Sequence, residues 1–325
     1  MTPLWLSEEE VARLLPLSEA IRALEEAFRA KAAGEAVNVP RTRVVTPEGV
    51  LHVMSAGWTS GGVMGLKAYT TSRTGARFVV LLYATDGTFL AGMEANVLGQ
   101  RRTGAASGLA TRYMARPEAS VAAVIGSGWQ ARTQLAAVCA VRPIREARVY
   151  SRTPQRREAF AREMSEQLGI PVRAVSSAEE AVEGAEVICT ITTAREPVLL
   201  GRWLSPGVHV NAAGVNWPDR RELDGEAVRR AHRIAVDDLA QARLESGDLV
   251  CAEREGVFRW ERAVELADIV AGKLPGRGDA REITLFASQG IALEDVAVAK
   301  LVYERAVTEG MGRPLPGWME NRRGG

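Results

Sequence analysis

The chain has 325 residues, 46% of them apolar and 25% charged, and a formal charge of +1. That length suits about two domains of ordinary globular composition, and the near-neutral balance excludes the basic footprint that nucleic acid or an anionic membrane surface requires. No apolar run approaches the ~20 residues of a membrane helix; the opening Met-Thr-Pro-Leu-Trp-Leu-Ser-Glu turns acidic at once, unlike a secretory signal, so the expected compartment is the cytoplasm.

In chain order, Ser7-x-x-Glu10 is a capping box that starts a short helix. Pro16 stops it, and Ser18 is expected to cap a longer amphipathic helix reaching about Ala33. Strand-like runs follow at 37–45, 50–54, 63–70, 77–84 and 88–93, with Asp86-Gly87 as a hairpin signal between the last two. This reads as an α+β domain with a largely antiparallel sheet. From Glu94 to Met114 the pattern turns helical, and Arg116-Pro117 marks a domain boundary. Strands are then expected at 120–125, 147–151, 172–175, 186–190, 208–211 and 233–236, with helical patterns between them. That alternation implies a parallel sheet covered on both faces. A strand near 282–286 leads to a helix from about Leu293 to Thr308 that returns to the first domain, and the tail 314–325 is expected to be loosely ordered. The fold class is therefore α/β: a doubly wound, Rossmann-type domain (117–292) inserted after an N-terminal α+β domain (1–116) to which the C-terminal segment (293–325) returns.

Val121-Ala-Ala-Val-Ile-Gly126-Ser127-Gly128-Trp129-Gln130-Ala131 places Gly-x-Gly-x-x-Ala between a strand and a helix, the setting of a dinucleotide phosphate site. Gly126 suits the tight turn, Gly128 the close approach of pyrophosphate, and Ala131 the helix–strand packing. The end of the next strand discriminates between nucleotides. An acid there grips the ribose 2′-hydroxyl of NAD, whereas Arg accepts a 2′-phosphate. The chain has Ser151-Arg152-Thr153 and no carboxylate, so NADP(H) is preferred and NAD(H) is the alternative. Later strand ends add Thr190, Thr192, Ala213 and Gly214 to the expected cofactor site.

Cys139, Cys189 and Cys251 are far apart and odd in number, which fits buried thiols rather than a metal site or disulfide framework, and the three histidines have no ligand spacing. Only four lysines occur, so Lys67 within Val63-Met-Gly-Leu-Lys67-Ala-Tyr69 stands out. Desolvation there lowers an amine's pKa and suits it to proton transfer.

Taken together, these motifs resemble the ornithine cyclodeaminase/mu-crystallin family. The resemblance rests on Gly65-Leu-Lys67, Arg101-Arg102-Thr-Gly-Ala-Ala-Ser107, the Gly126 loop, Val210-Asn-Ala-Ala-Gly214, Arg221-Glu-Leu-Asp224, Ile283-Thr-Leu-Phe286 and Gly290-x-Ala292-x-x-Asp295. It implies that the first domain (1–116 plus 293–325) binds a small amino or imino acid and forms a homodimer, and that the second binds a nucleotide, with reaction in the cleft between them. It also implies that Arg41 and Arg102 hold the substrate carboxylate, with Lys67 beside the reacting carbon. Two positions depart from the cyclodeaminases, which carry an aspartate where this chain has Asn216 and a glutamate where it has His52. An amide takes up no proton at neutral pH and neutralises no ammonium group. The expected function is therefore NADPH-dependent reduction of a small imino acid of the ketimine or pyrroline-2-carboxylate type, or reductive amination of the 2-oxo acid. Lys67 and Asn216 would serve the chemistry, and Arg41, Lys67, Arg102 and His52 would bind substrate. Ornithine cyclodeaminase, alanine dehydrogenase and a non-catalytic nucleotide-dependent binder of mu-crystallin type are the alternatives.

Overall fold

The computed structural model describes residues 2–316. The chain begins with β1 (Leu4–Leu6), α1 (Glu8–Leu14), α2 (Leu17–Ala32), β2 (Ala36–Val45), β3 (Gly49–Trp58), β4 (Val63–Ser72), β5 (Gly75–Ala84), β6 (Phe89–Glu94) and α3 (Asn96–Met114). Strands and helices then alternate through β7 (Val121–Ile125), α4 (Trp129–Val141), β8 (Glu146–Tyr150), α5 (Pro154–Leu168), β9 (Val172–Ala174), α6 (Ala178–Val182), β10 (Val187–Thr190) and β11 (His209–Ala212). The remaining elements are α7 (Gly225–Arg230), β12 (Arg233–Val236), α8 (Leu239–Glu245), α9 (Gly247–Arg254), β13 (Ala263–Glu265), α10 (Leu266–Val270), β14 (Thr284–Ala287), α11 (Ala292–Glu309) and β15 (Arg313–Pro314). No described helix is long and apolar enough to cross a membrane.

Two compact units result: Met1–Arg102 with Ile291–Gly325, and Thr103–Gly290. The first division falls inside α3, ahead of the boundary expected at Arg116-Pro117. Its first two turns, through Arg102, belong to unit 1, where the Glu8 carboxylate accepts from the backbone N–H of Asn96 and Val97 at 2.6 and 2.9 Å. Its remainder is buried in unit 2 through Ala105, Ala106, Leu109 and Ala110. A continuous helix has no sequence signal for such a handover.

In unit 1 the sheet order is β15-β1-β6-β5-β4-β3-β2, antiparallel except for the β1·β6 pair. Alternation sends His52, Met54, Ala56 and Trp58 of β3, and Val63, Gly65, Lys67 and Tyr69 of β4, to one buried face. α11 packs on this face. A Cβ on Gly65 would stand 2.7 Å from the Leu81 carbonyl oxygen and 3.2 Å from Val296, so the glycine admits the helix. α2 buries the stripe Ala20, Ile21, Leu24, Ala27 and Phe28. The capping box at Ser7 and Glu10 forms as expected. Ser18, however, is not a cap: α2 starts at Leu17 with Pro16 in the cap position and no side-chain hydrogen bond. Pro16 takes the extended backbone of a cap (φ −58°, ψ 143°), and Ser18 lies inside the first turn. Of the tail expected to be loose, Arg313 and Pro314 pair with Trp5 and Leu4, and residues 317–325 lie outside the described residues.

Unit 2 holds a parallel sheet ordered β13-β12-β14-β11-β10-β7-β8-β9. From β7 the chain moves outward to β8 and β9, then crosses back to place β10 on the other side of β7. The strand order therefore reverses between β7 and β10, the position where open α/β sheets bind ligands at their carboxyl ends. A buried polar chain ties α3 to this sheet. Asn211 Nδ2 donates to Thr111 Oγ1 at 2.9 Å, and the His209 ring lies 3.2 Å from Asn211 Oδ1 and 2.9 Å from Thr284 Oγ1.

Candidate active site

In unit 1 the cationic cluster begins with a β-bulge. The β2·β3 register shifts between Val39 and Thr42, adding one residue to β2. Ala36 and Asn38 face inward before the shift, and Arg41 and Arg43 do so after it. Arg41 is buried, and its Nε lies 3.3 Å from Met54 Sδ. Arg43 stands at the rim, opposite His52.

Lys67 is 2% exposed, with Met54 and Val80 as its cross-strand neighbours. Its Nζ donates to both oxygens of Asp295, at 3.1 and 3.3 Å. It also stands 5.5 Å from the Tyr69 ring centre and 5.4 Å from that of Phe78. The Arg41 guanidinium lies 6.0 Å from the same Tyr69 ring, and His52 stacks on it with centroids 4.2 Å apart. Arg102 completes the group: its Nε donates to Asp295 Oδ1 at 3.1 Å and its Nη1 to Glu294 Oε2 at 2.8 Å. All four substrate-side residues singled out in the sequence thus converge on one aromatic and acidic cluster. Asn216 lies in unit 2, half-buried in the loop after β11.

Burial lowers the Lys67 amine to about 8, and neighbouring Arg102 acts in the same direction, while Asp295 opposes both. His52 falls to about 4 through burial and the positive charge of Arg43, Arg41 and Lys67, so it is neutral at physiological pH. Arg102 is held firmly protonated: burial works against its charge, but Asp295 and Glu294 outweigh it.

The carboxylates were not singled out as site residues in the sequence. The signal was present in Ile291-Ala-Leu-Glu294-Asp295-Val-Ala-Val-Ala, where two adjacent acids interrupt an otherwise apolar helix. Their place in the first turn of α11 is electrostatically favourable. Asn38 Oδ1 caps that turn by accepting from the Ala292 N–H at 3.0 Å.

In unit 2 the glycine loop matches its expected geometry. Gly126 has φ +119°, and a Cβ there would stand 2.4 Å from the Ile191 carbonyl oxygen, so only glycine serves. Gly128 differs. A Cβ there meets nothing within 4 Å, and packing by the protein does not account for the glycine. It precedes α4, whose cap position supplies no side-chain hydrogen bond, leaving the first-turn N–H groups without that partner. Ala131 is buried in the core beside Val124 and Leu135. Ser127 Oγ donates to Ser151 Oγ at 2.8 Å, joining the loops after β7 and β8. Trp129, Arg152 and Thr153 are exposed, and Gln130 is half-buried.

Thr190 departs from its expected role. Its side chain is fully buried, and its hydroxyl donates to Glu222 Oε2 at 2.9 Å. Thr192 and Gly214 donate their backbone N–H groups to the same carboxylate at 2.6 and 2.9 Å. Thr192 Oγ1 accepts from the Ala194 N–H at 3.1 Å, while Ala213, half-buried, donates its N–H to the Thr190 carbonyl at 3.0 Å.

The ornithine cyclodeaminase/mu-crystallin family model matches residues 1–310. Alanine dehydrogenase from Archaeoglobus fulgidus is 37% identical over 325 residues, spanning 97% of this chain and 98% of its own. Among solved structures, Δ1-pyrroline-2-carboxylate reductase from Thermococcus litoralis, in complex with NADH and L-proline, is similar with a TM-score of 0.91 at 40% identity. It spans 96% of this chain and 100% of that one. An archaeal alanine dehydrogenase dimer with bound NAD gives a TM-score of 0.92 at 35% identity, over 98% and 100% of the two chains. Fold and site define a dinucleotide-linked oxidoreductase. The chain belongs to the ornithine cyclodeaminase/mu-crystallin family.

Proposed function

We propose that the protein reduces small imino acids of the pyrroline-2-carboxylate or ketimine type, or the imines that 2-oxo acids form with an amine, using a nicotinamide nucleotide. The observation that carries this reading is the charge arrangement around Lys67. Arg41, Lys67 and Arg102 gather around the Tyr69 ring and beside Glu294 and Asp295, a cluster of cations to which a substrate carboxylate is suited. Arg102 keeps Nη2 without a hydrogen bond among the described residues, and its N–H groups can donate to a substrate carboxylate. This is narrower than the expectation from sequence, because Nε and Nη1 are spent on Asp295 and Glu294.

The unit 2 residues fit a dinucleotide: the open side of Gly128 and the α4 amino terminus suit a pyrophosphate. Gly126 to Gln130 would hold it, and Thr192, Ala213 and Gly214 would line the nicotinamide side. When bound, the nucleotide supplies hydride to the imine carbon. The Lys67 ammonium donates a proton to the imine nitrogen, giving the iminium that accepts the hydride, and then regains a proton from solvent. A pKa near 8 lets it do both around neutral pH. Asn216, as an amide, would serve the chemistry only by hydrogen bonding and would exchange no proton. The tyrosine and phenylalanine rings give the ring or side chain of the substrate an apolar wall.

We assign NADP(H) in preference to NAD(H), because β8 ends in Tyr150-Ser151-Arg152 with no carboxylate and Arg152 is exposed at the start of α5. The neighbours described above were solved with NADH or NAD, so titration with both nucleotides is the deciding measurement. A hundredfold preference for NADH would overturn the assignment. We also assign a homodimer to the outer face of the unit 1 sheet, where Val37, Val39 and Val44 of the edge strand and Leu51 and Met64 beside it are exposed.

NADPH oxidation measured with pyrroline-2-carboxylate, with cyclic ketimines, and with 2-oxo acids plus ammonia or methylamine tests the function. Turnover with at least one of these supports it. Turnover of L-ornithine to proline and ammonia with catalytic NAD, or no turnover with any of them, would overturn it.

A further inference from the structure

We propose that Glu222 is a positioning residue for the nucleotide, its carboxylate clamping the two strand-end loops that floor the switch point of the unit 2 sheet. The proposal rests on the nucleotide reading given above.

The switch point lies between β7 and β10, and two loops meet there. Gly126 follows β7, and Ile191 follows β10 with its carbonyl oxygen 2.4 Å from where a Gly126 Cβ would stand. The position of Ile191 therefore limits how closely the glycine turn can form. Glu222 holds Ile191 from both sides, through the Thr190 hydroxyl on Oε2 and the Thr192 N–H on Oε1. The Gly214 N–H on Oε2 brings the loop after β11 into the same clamp. A Cβ on Gly214 would stand 2.4 to 2.6 Å from Thr192 and Glu222, so these two loops touch through the carboxylate with no room between them.

The clamp is itself anchored. Asp248, in α9, accepts from the N–H groups of Glu222 and Leu223 at 2.7 and 2.8 Å, and the Glu222 carbonyl accepts from Val198 and Leu199. Among the described residues no lysine or arginine bonds to the Glu222 carboxylate, which is fully buried. Burial and the nearby Asp248 charge push it up to about 7, against the pull of its hydrogen bonds. A buried acid without a cation is costly to a fold. All three of its donors lie at the carboxyl edge of the sheet, Thr190 at the end of β10 and Thr192 and Gly214 in the loops after β10 and β11, where the nucleotide is proposed to bind.

Glu222→Gln keeps the volume but turns one oxygen into an N–H donor, which must then face either the Thr192 or the Gly214 N–H. Titration of NADPH by its fluorescence, beside steady-state kinetics and thermal unfolding, tests the proposal. The expected result is about a tenfold weaker nucleotide Kd and a matching rise in nucleotide KM, as loss of one hydrogen bond to a charged group implies. The imino-acid KM and the kcat at saturating nucleotide should stay within about threefold. Thr190→Val, which removes a single donor, should shift the same two nucleotide parameters by about threefold, and it carries the test if the glutamine variant does not fold. Unchanged nucleotide affinity in both variants, or equal losses in nucleotide and imino-acid parameters, would overturn the proposal. If the wild type binds neither NADPH nor NADH, the nucleotide reading fails, and this inference with it.

Discussion

Lys67 is set by two opposing influences, and that balance is measurable. Burial and Arg102 lower its amine to about 8 while Asp295 resists. If the ammonium form donates the proton, reduction should slow as pH rises through about 8, the acid form being the active one. Asp295→Asn removes the opposing influence, so the alkaline limb of kcat should move to lower pH, as rate profiles at saturating substrate would reveal. Lys67→Met should cut kcat/KM by about two to four orders of magnitude, the usual worth of a general acid, with nucleotide Kd unchanged. Wild-type kinetics in that variant would remove Lys67 from the chemistry. At the other unit, Arg152→Ala should weaken NADPH binding by about tenfold or more while leaving NADH within about twofold, because a bidentate guanidinium–phosphate contact is lost with only one of them. Equal effects on both nucleotides would make Arg152 a solvated helix start.

The bulge in β2 shows what alternation conveys and where it stops. Reading by twos from Ala36 would turn Arg41 outward, and the extra residue between Val39 and Thr42 is what brings it in. The same bulge turns Val44 outward, to the side that Val37 and Val39 already face on this edge strand. Replacing Val37 and Val39 together with lysine should convert dimer to monomer, as seen by light scattering, and a dimer of undiminished stability would move the interface elsewhere. The long elements were legible because each repeats its pattern over several residues: β3 to β5, α3, α11 and the glycine loop all fall within a few residues of expectation. β1, β13 and β15 have only three, three and two residues, too few for any period, and only pairing defines them. The cations of the site were legible as oddities in their surroundings. Their anions were less so, because the Lys67–Asp295 pair spans 228 residues and Glu222 acts through backbone N–H groups that carry no side-chain signature.

For the molecule as a whole, buried ionisable groups make stability depend on pH. His209, deep in unit 2, is lowered to about 3 by burial and by the charge of Arg277. Once unfolded it takes a proton below about 6.5, whereas in the fold it does not until about 3. The folded state therefore loses up to ~1.4 kcal/mol per pH unit as pH falls from 6.5 towards 3. His209→Gln should be less stable than wild type at pH 7, with the gap narrowing at pH 4.5 in urea unfolding. Asp237, Glu222 and Asp248, all raised by burial, act with the opposite sign but equally in both proteins. A gap that does not narrow would show that His209 titrates normally in the fold. The distance along the chain between Lys67 and Asp295 also acts in time. At ~5–20 residues per second of synthesis, their separation of 228 residues takes roughly 10–50 s to emerge. Throughout that interval a nascent chain carries its lysine without the carboxylate that will restrain it. The Lys67–Asp295 pair is thus assembled last, after unit 2, encoded between its two halves, has already left the ribosome.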